Sequence, residues 1–249
     1  MRNNKMLISV IIPSLNEERY IGRILKQIAD YRCNNPTKIE SIVSDDFSTD
    51  KTVSIARKYG ARVILKKGKK TSVADSRNRG AWAARGKILV FMDADTFLEN
   101  PKNFFDEIVS ILDDENIVAA VPYMDIHPSE STFTDKIWHR FGNFTILLSN
   151  KMGIGRGGGQ CQIIKAKYFK KLKGYNKYLN VLEDIDLIYR LSRIGKVKFF
   201  GNLKAYESPR RYHKYGYFRV VILGWGVMGI INKINYLIRR KNKGWGEVR

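Results

Sequence analysis

Cysteine is nearly absent from this sequence. Cys33 and Cys161 are its only two, too few for a disulfide framework or a thiolate metal site, which fits a reducing, cytoplasmic compartment. Histidine is scarce as well: His127, His139 and His213 stand too far apart to form a zinc site by spacing. That leaves His213 as an extra ligand to a hard metal or as a solvated surface residue. Long apolar runs are missing. The N-terminus MRNNKMLISVIIP is apolar only briefly, meets Pro13 and lacks a small-residue cleavage site, so it reads as a first strand and not as a signal peptide. No G-x-G-x-x-G or other Gly-rich phosphate loop follows that strand, which weakens a dehydrogenase or a sugar nucleotidyltransferase reading. Acid is in deficit: 24 Asp plus Glu face 45 Lys plus Arg, a formal charge of +21, which implies anionic company such as nucleic acid, anionic lipid or phosphorylated substrates.

What is present is an alternation of short apolar runs and helical periods from Leu7 to about Ile164, the pattern of an α/β fold with helices flanking a mostly parallel central sheet. Strands are expected at Ile8–Pro13, Ile39–Ser44, Arg62–Leu65, Lys87–Met92, Ile117–Val121 and Gln162–Ile164. Asn16 is placed to cap a helix whose apolar residues Ile21, Ile24, Leu25 and Ile28 recur at helical spacing. Further helices are expected at Thr52–Tyr59, Ser72–Ala84, Pro101 to about Leu112, Thr134–Leu148, Lys165–Leu172 and Glu183–Ile194. A basic loop, Lys66–Lys70, and a flexible loop, Gly155–Gly159, interrupt the order.

Carboxylates gather where these elements meet. The run Ile88-Leu-Val-Phe-Met-Asp-Ala-Asp95 reads as a strand buried on both faces that ends in two acids. Such a pair is costly unless a cation lies beside it, and a hard divalent ion such as Mg²⁺ or Mn²⁺ takes a few carboxylates and fills its shell with phosphate oxygens. Turn formation is the plainer role. Asp45, Asp46 and Asp50 follow the second strand, either as a ligand site at strand carboxyl ends or as turn and helix-cap residues. Glu183, Asp184 and Asp186 open a helix, where one acid suffices for the dipole and another is free to be a general base.

In order and spacing, Ser9-Val-Ile-Ile-Pro-Ser-Leu-Asn-Glu17, Asp45-Asp-Phe-Ser-Thr-Asp50, Ser76-Arg-Asn-Arg-Gly80, Phe91-Met-Asp-Ala-Asp95 and Glu183-Asp-Ile-Asp-Leu187 resemble family 2 glycosyltransferases over roughly residues 6 to 215. The resemblance implies a GT-A fold, a UDP- or GDP-sugar donor, a Mg²⁺ or Mn²⁺ ion and inversion at the anomeric carbon. Carried over, Pro13 and Glu17 line the nucleotide pocket, Asp46 reads the base, Arg77 lies near the phosphates, and Asp93 and Asp95 form the D-x-D with Asp95 the direct metal ligand. Asp184 matches the catalytic base, with Glu183 beside it in the substrate site. Phe47 stands where the family usually has Gly. The Q-x-x-R-W of processive synthases is missing, although Arg210-Arg-Tyr212 is a short echo of it.

The expected organisation is a glycosyltransferase domain over 1–215, with a nucleotide-sugar half of about 1–121 and an acceptor half of about 122–215, followed by an apolar and basic appendage over 216–249. From Lys204 onward there are 11 Lys or Arg and 2 acids. The run Val220–Ile231 is too short and too interrupted to span a bilayer, yet with Trp225, Tyr236 and Trp245 it suits a membrane interface; a core or oligomer helix is the alternative. An anionic membrane surface and a lipid-linked acceptor are therefore expected partners, at the cytoplasmic membrane face. Nucleic acid is not expected, because three acidic sets would repel its backbone; a basic binding module without catalysis is the alternative reading.

Overall fold

The computed structural model describes residues 8–35, 38–66, 72–179 and 181–227. The first strand, β1 (Ile8–Ser14), is buried at every position because β2 (Ile39–Asp45) and β4 (Ile88–Met92) flank it in parallel. Its alternate residues serve two cores: Ile8, Val10 and Ile12 pack on one face of the sheet and Ile11 on the other. β4 divides in the same way, Ile88, Val90 and Met92 against Leu89 and Phe91, which is why its apolar run is continuous. Beyond β2 lies β3 (Arg62–Leu65) at the edge.

The helices of the first half follow their apolar periods. α1 (Ile21–Asn34) buries Ile21, Ile24, Leu25, Ile28 and Tyr31; α2 (Thr52–Lys58) buries Ala56. α3 (Val73–Ala83) starts at Ser72, whose hydroxyl accepts from the Asp75 N–H, and α4 (Pro101–Val109) starts at Asn100 in the same manner. Asn16 does not cap α1. It sits in a left-handed turn at φ 55°, and its side-chain oxygen accepts from the Thr49 N–H at 2.8 Å, so it ties the loop after β1 to the loop after β2.

The second half completes a mixed sheet of order β3-β2-β1-β4-β7-β6-β8-β5, with the short β5 (Phe97–Leu98), β6 (Ile117–Ile126), β7 (Cys161–Lys165) and β8 (Lys196–Glu207). β7 runs antiparallel between β4 and β6, and β8 pairs in parallel with β6. β6 is longer than its sequence pattern implies, and β8 is not expected from the sequence at all. Three lysines and Gly201 blur its alternation, and its register shifts where Pro122 of β6 offers no N–H. Helices α5 (Phe133–Lys151), α6 (Ala166–Lys171), α7 (Glu183–Ser192) and α8 (Arg210–Tyr215) complete this half, followed by a π-helical stretch, Phe218–Val227. Most of the basic loop at 66–70 and the tail with Tyr236 and Trp245 lie outside the described residues. Among the described residues no helix is long and apolar enough to cross a membrane.

Candidate active site

The carboxyl ends of β1, β2 and β4 open on one side of the sheet, and α3 lays the Ser76–Gly80 segment across them. Each residue of that segment has a use. Ser76 donates to the Ser44 carbonyl at 2.8 Å, Asn78 clips Tyr175 through both its amide atoms, and Arg79 lies 3.7 Å from Asp46. Gly80 passes so close to β1 that a Cβ there would fall 2.5 Å from Ile11. Arg77 points inward and is almost fully buried.

Arg77 is the hub of the site. Its guanidinium reaches Asp93 Oδ1 and Glu183 Oε1, both at 2.8 Å, and donates to the Gly159 carbonyl at 3.0 Å. Burial alone would favour losing its proton, but Asp93, Tyr175, Glu183 and Asp184 outweigh that and hold it charged. The residue after Glu183 lies at the same place: a Cβ on Gly159 would fall 2.8 Å from Arg77 Nη2 and 2.9 Å from Asp184 Oδ2. The Gly155–Gly159 segment is a loop, as the sequence implies, but Gly155, Gly157 and Gly159 are buried, so glycine here serves close approach. Burial raises the Asp184 carboxyl, and burial together with Asp184 raises that of Glu183. Asp186 is paired with Arg190 at 2.8 Å, which ties it to the helix.

Asp93 and Asp95 do not share one cation: two guanidiniums meet them separately. Arg210, at the start of α8, approaches Asp95 at 3.1 Å and grips Glu17 with two hydrogen bonds of 3.0 and 2.8 Å. Burial, then Asp93, pushes the Asp95 carboxyl up to about 6 against the pull of Arg210. Beside it lies a cleft of about 230 Å³ lined by Tyr20, Arg23, Asp95 and Glu207 among others. Pro13 is buried in β1 opposite Ser44, and Asp46 is buried at the end of β2. Asp45 and Asp50 form turns and caps: Asp45 accepts from Ser14 and from the Ser48 N–H, and Asp50 from the Thr52 N–H. His213 has a carboxylate partner elsewhere. Its Nε2 lies 2.9 Å from Asp135 Oδ2.

Among the described residues no three His, Cys, Asp or Glu side chains converge to hold a metal ion. Two carboxylates at one strand end nevertheless suit a hard cation whose remaining ligands are phosphate and water oxygens. Arg210 and Glu207 were not identified as site residues from the sequence. The only signal for Arg210 was the Arg-Arg-Tyr echo at 210–212, and the unrecognised β8 hid its neighbour.

A family model described as Glycosyl transferase family 2 matches residues 9–173. The chain belongs to glycosyltransferase family 2. Among similar proteins of this family, an uncharacterized glycosyltransferase of Haemophilus influenzae is 24% identical over 74% of this chain and 62% of its own length. The dodecaprenyl-phosphate galacturonate synthase of Rhizobium johnstonii is 26% identical over 67% of this chain and 50% of its own. The chain thus spans between half and about three fifths of the length of these two relatives. The solved mannosyltransferase of Pyrobaculum calidifontis, in complex with GDP-Man and Mn²⁺, superposes with a TM-score of 0.66 at 20% identity, covering 90% of this chain and 64% of that one. The glycosyltransferase family 2 chain therefore has the GT-A fold, a curled, mostly parallel sheet flanked by helices.

Proposed function

We propose that this chain transfers a sugar from a nucleoside-diphosphate sugar, with UDP or GDP as the leaving group, to an acceptor hydroxyl or phosphate, with inversion. The observation that carries the reading is the convergence of Asp93, Glu183 and Asp184 on the single buried guanidinium of Arg77, at the carboxyl ends of the parallel strands. Asp184 takes the proton of the attacking acceptor; burial raises its affinity for that proton, which suits a general base. Glu183 and Arg77 hold it at the mouth of α7. Pro13, Glu17 and Asp46 line the nucleotide pocket.

Asp93 and Asp95 would hold a Mg²⁺ or Mn²⁺ ion, with Asp95 the direct ligand. When bound, such an ion stabilises negative charge on the departing diphosphate. The cation beside Asp95 in this structure is Arg210, so a metal competes with it for that carboxylate. The Mn²⁺ in the Pyrobaculum mannosyltransferase supports this assignment.

On this reading residues 1–121 form the nucleotide-sugar half and 122–215 the acceptor half. The acceptor is lipid-linked and the chain sits peripherally on the cytoplasmic membrane face; the name of the Rhizobium relative and the excess of basic residues support both. Release of UDP or GDP from a panel of sugar donors, with and without Mn²⁺, tests the reading. Metal-independent release, or none with any donor and polyprenyl phosphate, overturns it.

A further inference from the structure

Helix α5 is built inside out. Its buried residues include Asp135, His139, Asn143 and Asn150, whereas Phe133, Ile137, Phe141, Phe144 and Leu148 are exposed. Phe133 is 79% exposed, and Phe141 and Phe144 are each 61% exposed. At about 100° per residue these five side chains fall within an arc of about 80°, one continuous stripe along a helix about 28 Å long. The inward polar face has its reasons. Asn143 donates to the Met124 carbonyl at 2.7 Å and accepts from the Met124 N–H, Asn150 binds the Arg156 backbone, and His139 Nε2 lies 3.1 Å from Glu207. Among the described residues the outward face has no such partner, and large apolar patches on a protein surface mark a docking site.

Charge decides the occupant. Asp135 is the only acid in α5 and it is buried, while Lys136, Arg140 and Lys151 are exposed beside or at the end of the stripe. A second copy of a chain carrying +21 would bring like charges together across this face. An anionic leaflet accepts both the aromatic stripe and its basic border. The neighbouring segment presents the same chemistry: Trp138 of α5 stacks on Tyr217 at 5.4 Å, and the exposed Phe218, Ile222 and Leu223 follow.

We propose that the outward face of α5 is a membrane-docking surface, lying in the headgroup layer of an anionic bilayer with Phe133, Ile137, Phe141, Phe144 and Leu148 inserted. This deepens the peripheral membrane association proposed above and moves its centre from the appendage to α5. Past the end of the helix the chain continues through Met152 and Ile154, both exposed, into the loop whose Gly159 carbonyl accepts from Arg77. A lipid-borne acceptor held at α5 therefore lies beside the segment that leads to the catalytic base.

The test is co-sedimentation of the full chain with vesicles of phosphatidylcholine containing about 30 mol % phosphatidylserine, at about 0.1 M salt. The double variant Phe141→Ser, Phe144→Ser should lose ~10-fold or more in vesicle partitioning, and Lys136→Glu, Arg140→Glu should lose partitioning to anionic but not to neutral vesicles. Circular dichroism and the Mn²⁺-plus-nucleotide thermal shift should be unchanged in both, because these residues lie outside the site. Equal partitioning of wild type and the Phe double variant overturns the proposal, even if the C-terminal residues alone bind lipid. So does a wild-type dimer in sedimentation velocity that the double variant converts to monomer, which would assign the face to a second copy. Failure of the transferase assay would leave the vesicle result readable, since neither measurement depends on the other.

Discussion

Replacing Asp95 with asparagine should stabilise the ligand-free protein while removing its response to metal. The carboxyl titrates near 6 in the fold against an ordinary 3.8, because burial and the adjacent Asp93 disfavour its charge more than Arg210 favours it. That gap corresponds to about 3 kcal/mol of penalty on the folded state at pH 8. Since the folded value is the higher, the penalty is absent below pH 3.8 and complete above pH 6. An amide keeps the shape but loses the 3.1 Å ion pair with Arg210 and is itself polar, so the net gain should be about 1–3 kcal/mol. For a domain of this size each kcal/mol is worth about 2–4 °C in melting temperature. Differential scanning fluorimetry across pH 4 to 8 reads this directly: the two proteins should melt together at about pH 4 and separate as pH rises through about 6. Adding Mn²⁺ with UDP or GDP should then raise the wild type and leave the variant where it was. A variant no more stable than wild type at pH 8, or one that keeps the Mn²⁺-dependent rise, refutes the reasoning.

Two other substitutions probe the same site. Asp184→Asn should preserve nucleotide binding in calorimetry while lowering kcat by on the order of 10²-fold or more; wild-type turnover would assign the base to another residue. Gly159→Ala places a methyl group between Arg77 and Asp184 and should lower kcat by at least ~10-fold. Gly142→Ala, at a position in α5 where an added Cβ meets nothing within 4 Å, is its control and should leave kcat unchanged. Phe47→Gly should raise stability by about 0.5–1 kcal/mol in urea titration, because Phe47 is held at φ 70° and half exposed, and a left-handed conformation costs a side-chain-bearing residue about 1–2 kcal/mol. An unchanged midpoint would mean that contacts of the ring offset the strain.

How much of this was legible in the sequence depends on where the information lies. β1, β2, β4 and α1 announce themselves because each carries a dense or periodic set of apolar residues within a short stretch of chain. The Arg77 site was legible as a list of residues and not as an arrangement, since Glu183 lies 106 positions from Arg77 and no pattern within either segment encodes their meeting. β8 was illegible for a physical reason: it is a half-buried strand whose exposed positions are a Lys, a Gly and an Asn, so only its pairing with β6 makes it a strand. Asn16 misled because a cap residue and a left-handed turn residue have the same chemistry; the choice between them rests on Thr49, 33 residues away.

The pairing of His213 with Asp135 and the inverted helix have one cause. α8 has six residues, too few to hold itself as a helix, yet it delivers Arg210 to Glu17 and Asp95. What fixes it is a polar cluster facing α5. His213 and the Tyr217 hydroxyl meet the two oxygens of Asp135, at 2.9 and 2.6 Å, and Tyr212, stacked on Tyr217 at 4.5 Å, donates to Glu207. Burial would raise the Asp135 carboxyl, but the hydrogen bonds from Tyr217, Thr132 and His213 draw it down to about 2, so it stays charged and keeps its partners throughout the physiological range. Asp135 and His139 of α5 are thus spent inward, anchoring the helix that carries Arg210. Because a helix has only one circumference, its apolar residues are left on the outside, where a soluble partner-free surface would not keep them. The placement of Arg210 beside Glu17 and Asp95 and the exposure of the aromatic stripe therefore follow from the same choice of which face of α5 turns toward the fold.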